Sequence, residues 1–316
     1  MIPYVHRTNL ENEIVAAAQA RKRLLLGGHV GSGRSTLLRN ALEGAGYAVF
    51  VVDLLGAILP VDLDAAFRQL GEGDTMSAAL HRLDSKAAST PTALVISNID
   101  GCLGMVSEDN IMGSLRGHLQ RVQELAVFYT AASNDFVGRH VANDGGAFFK
   151  QCVVAEVGFM DLSAVSEMLQ ARIGSPTPTG VRSLIADSVG LLPGNLAPFI
   201  ERLAEQRERD GILRETPITI AEVNDLLCRI VIERKAQYEA WCQSFMTGRQ
   251  LSLLSAFARG VPLRASNEME SATGIPVNSA WAVIRAVERS GFLVASGKGH
   301  VFADPYFRLH LMARVV

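Results

Sequence analysis

Residues 27–36 read Gly-Gly-His-Val-Gly-Ser-Gly-Arg-Ser-Thr. From Gly28 to Ser35 the spacing fits G-x-x-x-x-G-K-[ST], with arginine in place of the lysine. In that pattern the glycines let backbone N–H groups close round phosphate oxygens, and the terminal hydroxyl ligates Mg²⁺. The candidate phosphate cradle is Gly28, Gly31, Ser32, Gly33, Arg34, Ser35 and Thr36, with Ser35 toward the metal. Arg34 keeps the positive charge but replaces a compact ammonium by a planar fork on a different stem. The expected ligand is ATP or ADP with Mg²⁺.

Such a loop needs a strand running in and a helix running out, and both are present. Leu24, Leu25 and Leu26 are an apolar run of buried-strand type. Ser35 to Glu43 has helical periodicity and stops at Gly44. Further apolar runs at 48–52, 93–96, 125–129 and 153–157 alternate with helical stretches, which predicts an α/β fold with a parallel sheet covered on both faces. A loop at 71–75 containing glycines and acids leads into the helix before the third strand.

Three domains are expected: a nucleotide-binding domain over 1–160, a helical lid with a connecting helix over 161–243, and a terminal domain over 244–316. The lid is broken at 174–180 and at Leu192-Pro-Gly-Asn195. In the terminal segment, helical patterns at 251–259, 266–272 and 278–290 precede two short strands, 292–295 and 300–303, joined across Ser296-Gly-Lys-Gly299. Three helices and a glycine-tipped hairpin predict a winged helix. Trp281, Ile284 and Val287 are expected in its core. Arg285, Arg289 and Lys298 are the candidate contacts to double-stranded DNA or a protein partner.

Composition narrows the class. Hydrophobic residues make up 48% of 316, enough for sizeable cores. A formal net charge of -2 excludes a general polyanion binder, although residues 251–316 carry seven Lys or Arg against four acids. No apolar stretch has the length to span a bilayer, and residues 1–7 lack a signal-peptide layout, so a cytoplasmic location is expected, with no membrane partner. Cys102, Cys152, Cys228 and Cys242 have neither zinc-site spacing nor disulfide-scaffold density.

Hydrolysis needs an acid at the tip of a neighbouring strand for Mg²⁺ and usually a glutamate beside it for the attacking water. The strand ends Ile96-Ser97-Asn98-Ile99-Asp100, with Ser97 and Asn98 where those acids belong. Serine supplies no charge and asparagine accepts no proton. Asp100, three residues beyond Ser97, is the nearest carboxylate, and Asp53 at the end of the second strand is the other metal candidate. Ser133 and Asn134, after the fourth strand, sit where a polar side chain meets a γ-phosphate. Arg139 and Lys150 are candidate fingers toward a neighbouring subunit's nucleotide.

These residues together resemble the AAA+ superfamily, most closely the STAND-type ATPases of the archaeal-ATPase group and more distantly the origin-recognition ATPases. The resemblance covers nearly the whole chain. Tyr4-Val-His-Arg-Thr-Asn-Leu-Glu11 is similar to the family's opening stretch, Ser97-Asn98-Ile99-Asp100 stands at its acidic strand end, and Ser133-Asn134 at its polar sensor. Gly146-Ala-Phe-Phe-Lys150 falls at a family segment ending in arginine, Leu192-Pro-Gly-Asn195 at the lid turn, and Ala303-Asp-Pro-Tyr-Phe-Arg308 at the segment closing the winged helix.

The resemblance implies ATP between sheet and lid, and assembly as a homo-oligomer or with a related AAA+ subunit. It implies a switch controlled by nucleotide. With Arg34, Ser97 and Asn98 departing from the pattern, the first expectation is a holder of ATP with weak or absent hydrolysis. An active ATPase using Asp100 or Asp53, and a nucleotide-free scaffold subunit, are the alternatives.

Overall fold

The computed structural model describes residues 4–57, 59–70, 75–296 and 299–314. The chain divides into two compact units, one over Val5–Phe159 and one from Met160 onward.

The first unit opens with α1 (Thr8–Gln19) and alternates strand and helix: β1 (Arg23–Gly27), α2 (Arg34–Gly44), β2 (Ala48–Asp53), α3 (Pro60–Phe67), α4 (Met76–Ala87), β3 (Thr92–Ser97), α5 (Glu108–Leu119) and β4 (Ala126–Thr130). A helical turn α6 (Asn134–Phe136) runs into a π-helical turn (Val137–Ala142) before β5 (Cys152–Glu156). The strands form one sheet in the order β2-β3-β4-β1-β5, with every pair parallel. Leu24, Leu25 and Leu26 of β1 and all six residues of β3 are buried. Central parallel strands are covered on both faces, so their sequences read as unbroken apolar runs. Each β1 leucine contributes about 2 kcal/mol by leaving water. On one side of the sheet, Tyr129, Phe136 and Phe148 pack with Phe67, Leu83 and Ile111.

Parallel pairing has a direct consequence for the site. All five carboxyl ends lie along one edge of the sheet, bringing the residues after β1, β2, β3, β4 and β5 together there. The loop at 71–75 lies outside the described residues except for Thr75, whose side chain caps α4 through the Ala78 amide at 3.3 Å.

The second unit is helical: α7 (Leu162–Ile173), α8 (Thr179–Val189), α9 (Pro193–Arg209), α10 (Ile220–Glu233), α11 (Lys235–Ser244), α12 (Gly248–Ala258), α13 (Asn267–Thr273) and α14 (Val277–Arg289). An antiparallel pair, β6 (Leu293–Ser296) and β7 (Gly299–Phe302), and α15 (Pro305–Ala313) complete it. Asp304 caps α15 by accepting from the Tyr306 and Phe307 amides, and it also accepts from the Tyr238 hydroxyl at 3.0 Å. Arg308 reaches the Ala258 and Asp187 carbonyls, so α15 is tied to both α12 and α8.

Arg207 is buried within this unit and its charge is matched. It pairs with Glu222 and donates to the Thr216 carbonyl at 2.6 Å. Glu222 also accepts from the Thr219 amide at 2.7 Å, closing the capping box that starts α10. Removing one member of such a pair strands the other charge. Arg207→Ala should therefore lower stability by about 3 kcal/mol, seen as an earlier chemical-denaturation midpoint followed by circular dichroism.

Candidate nucleotide site

Between β1 and α2 the backbone takes conformations that only glycine adopts freely, with φ at 137° for Gly28, 81° for Gly31 and 83° for Gly33. A Cβ on Gly28 would meet the Val157 carbonyl oxygen at 2.5 Å, so the loop closes directly onto the chain leaving β5. The Val157 amide meanwhile donates to the Gly27 carbonyl at 2.8 Å. No side chain caps the N-terminus of α2, leaving its first amides open. Ser32 is 1% exposed, and its hydroxyl has no hydrogen-bond partner. A buried hydroxyl without a partner costs about 1–3 kcal/mol, unless a ligand takes the bond.

Arg34 is the first residue of α2 and is only 8% exposed. It donates from Nη1 to the His29 carbonyl at 3.1 Å, folding back across the loop. Burial holds its pKa below the ordinary arginine value, the charge of Asp100 offsetting only part of that. Ser35 shares a hydrogen bond with Ser97 at 3.2 Å between their hydroxyls, so the β1 loop and the end of β3 meet at these two side chains.

The strand ends are tied to one another by polar side chains. Asn98 is left-handed, with φ 53° and ψ 45°, a conformation asparagine tolerates better than most residues. Its amide donates to the Thr130 hydroxyl at 3.1 Å, and its side-chain nitrogen donates to Asp53 Oδ1 at 2.9 Å. That same Asp53 oxygen accepts from the Leu55 amide at 2.9 Å. Asp100 Oδ2 accepts from the Ala132 and Ser133 amides at 2.8 and 2.7 Å, holding the turn after β4. Thr130, which sequence reasoning passed over, is buried and joins β4 to the Asn98 turn. A lone polar residue closing an apolar strand was its only sequence signal.

No protein-family model matches this chain, and no curated protein matches it. Solved structures do resemble it along almost its whole length. A Walker-type ATPase of Pyrococcus abyssi superposes with a TM-score of 0.67 at 13% identity, covering 97% of this chain and 96% of that one. The Aeropyrum pernix ORC1 protein in complex with DNA gives 0.53 at 15%, covering 98% and 93%. The Thermotoga maritima RuvB Holliday junction branch migration motor gives 0.51 at 14%, covering 94% and 92%. The fold is that of the AAA+ P-loop ATPases. Identities this low speak for the fold, and the residues of the loop have to be judged on their own chemistry.

The P-loop residues and Ser97 come together, as does the group Asp53, Asn98, Thr130 and Asp100. Ser133 accepts from the Phe136 amide at 3.4 Å, and Asn134 begins α6 in the same turn. The two finger candidates have local engagements instead. Arg139 lies 3.6 Å from Glu108, which also pairs with buried His140 at 2.7 Å. Burial acts to raise the Glu108 pKa, but the Gly104 amide, His140 and Arg139 outweigh it and hold the carboxyl below its ordinary range. Lys150 adopts φ 56° and lies over the Phe149 ring at 5.2 Å.

On α14 the buried stripe is Ala280, Ile284 and Val287, and Trp281 is 55% exposed. The expected core position of Trp281 is corrected here. A residue one step from Ala280 turns about 100° away from the stripe, and a 281-284-287 pattern drifts off one helix face. Asn278, Trp281, Arg285 and Arg289 form the outward side instead. Lys298 lies outside the described residues.

Two substitutions test this geometry. Gly28→Ala should cost about 2–4 kcal/mol, because it adds overpacking against Val157 to a backbone angle side chains avoid. Asp100→Ala should cost about 2–3 kcal/mol by removing a charged acceptor from two amides. Both are read from urea-denaturation midpoints.

Proposed function

We propose that this chain holds ATP or ADP by its phosphates on residues 28–36, hydrolyses it slowly or not at all, and works as a nucleotide-dependent switch for assembly or DNA engagement. The observation that carries the binding reading is the loop itself: a glycine-built cradle, an uncapped helix start and a buried Ser32 hydroxyl lacking a partner. Uncapped amides at a helix start and an unpartnered hydroxyl are the donors that phosphate oxygens accept from. Gly28, Gly31, Ser32, Gly33, Arg34, Ser35 and Thr36 would hold the phosphates. The nucleotide would supply the negative charge these donors lack.

Weak turnover follows from what surrounds the loop. Ser97 and Asn98 stand where a carboxylate pair would act, and Asn98 can neither take a proton nor move freely while bonded to Asp53. The active-ATPase alternative calls on Asp100 or Asp53, and both carboxylates already accept two hydrogen bonds each from the protein. A switch needs only different affinities of nucleotide for two states, so slow hydrolysis does not remove it.

For the second unit, the three helices α12, α13 and α14 followed by the β6-β7 hairpin support a winged helix. The outward side of α14, with Arg285, Arg289, Asn278 and Trp281, is the surface we assign to duplex DNA. Two of the structures with this fold are an ORC1 bound to DNA and a Holliday junction motor. A second copy or a related subunit is the assembly partner, with Arg139 or Lys150 as the contributed cation. No helix of the described residues is long and apolar enough to cross a membrane, and the four cysteines are free, in keeping with a cytoplasmic protein.

Excess ATP or ADP should raise the melting temperature of the full chain, since ligand at a hundredfold its Kd adds about 2.7 kcal/mol. Phosphate release by the same sample should stay near background. No shift with either nucleotide points to the scaffold reading, and sustained release points to an active ATPase. Duplex DNA binding should weaken with salt, and Arg285→Ala with Arg289→Ala should lower the salt slope by about 2. Absence of binding at low salt removes DNA as the partner.

A further inference from the structure

Mg²⁺ in a phosphate site is held by one or two protein carboxylates together with phosphate oxygens, and it keeps several waters that need acceptors nearby. The donor set beside this loop does not meet that requirement. Ser35 and Ser97 hydroxyls are bonded to each other at 3.2 Å, so the acid that normally faces the loop serine is replaced by a neutral hydroxyl. The neighbouring side chain, Asn98, directs its nitrogen to Asp53 at 2.9 Å. Asp53 is further engaged by the Leu55 amide. Asp100 spends one oxygen on two backbone amides and faces the charge of a buried arginine. Among the described residues, no group of three or more His, Cys, Asp or Glu is arranged to hold a metal ion.

The cation this site does contain is covalent. Arg34 is buried at the start of α2 and stays charged under any ordinary condition. Of its five N–H donors, one goes to the His29 carbonyl. A planar fork with several donors matches phosphate oxygens in a way a single ammonium does not. Two substitutions in different segments therefore have one physical reading. Losing the acid at Ser97 removes the partner of a divalent ion, and gaining the guanidinium at Arg34 supplies fixed positive charge to the same phosphates.

We propose that this P-loop binds nucleoside di- and triphosphates without a divalent cation, Arg34 taking the charge-neutralising part of Mg²⁺. The proposal rests on the nucleotide-binding reading above and adds to it the ionic form of the ligand, the free polyphosphate. A site of this kind has no means to assemble a metal-bridged β,γ-phosphate, which accords with slow hydrolysis. It also makes occupancy independent of the Mg²⁺ level, so the switch would answer to nucleotide concentration alone.

The test is calorimetric titration of the full chain with ADP and with ATP, once in excess MgCl₂ and once in EDTA. The expected result is a Kd that differs by less than fivefold between the two conditions. A loss of fivefold or more in EDTA overturns the proposal and leaves the nucleotide reading intact. No binding in either condition overturns the nucleotide reading and this proposal with it. Ser97→Asp supplies the missing acid, and its Kd for ATP should become at least fivefold tighter in MgCl₂ than in EDTA. If Ser97→Asp is as indifferent to Mg²⁺ as the unaltered chain, the role given to Ser97 is wrong and the proposal falls.

Discussion

The joint between Gly27, Gly28 and Val157 is the constraint on which the site depends. The Val157 amide bonds to the Gly27 carbonyl at 2.8 Å, and the Val157 carbonyl occupies the space a Cβ of Gly28 would need. Packing this close excludes a side chain at position 28 and constrains the backbone path out of β1. The path turns at Gly31 and Gly33 and delivers Arg34 to the first position of α2, where burial and the His29 carbonyl fix its side chain. The open amides of α2 and the unpartnered Ser32 hydroxyl are products of that path. The arginine is therefore a built part of the loop, held by burial and by the His29 carbonyl.

A second set of hydrogen bonds involves the other strand ends. Asp53 at the end of β2 accepts from Asn98 after β3, whose amide donates to Thr130 at the end of β4, and Asp100 accepts from the amides of Ala132 and Ser133. In such a network every carboxylate has an internal task. Asp100 organises the turn that carries Ser133 and Asn134, and Asp53 anchors a left-handed asparagine. Each of these two carboxylates therefore has one oxygen engaged in holding a turn.

Much of this was legible from residue order. Leu24–Leu26 and the alternation of apolar runs with helices indicated a parallel sheet, because buried parallel strands leave no polar face to interrupt the pattern. The eight-residue frame at Gly28–Ser35 indicated the loop, because glycine takes positive φ without the steric cost other residues meet. Helix α14 shows where such reading stops. The apolar residues Trp281, Ile284 and Val287 looked like one face, but Ala280 occupies the buried position and Trp281 turns outward. A small residue can mark a core stripe when a neighbouring helix packs close, and hydrophobicity alone does not report that distance.

Sequence by itself determined the fold class, the loop and the identity of the departures Arg34, Ser97 and Asn98, since each depends on local spacing or on the chemistry of one side chain. Tertiary structure decided what the remaining carboxylates do. Asp53 and Asp100 are separated from their partners by 45 and 32 to 33 residues. Their commitment to Asn98 and to the 132–133 amides arises only when parallel pairing brings the carboxyl ends of β2, β3 and β4 to one edge. Hydrogen bonds of such long sequence separation have no signature in residue order, because their geometry is set by strand register and burial.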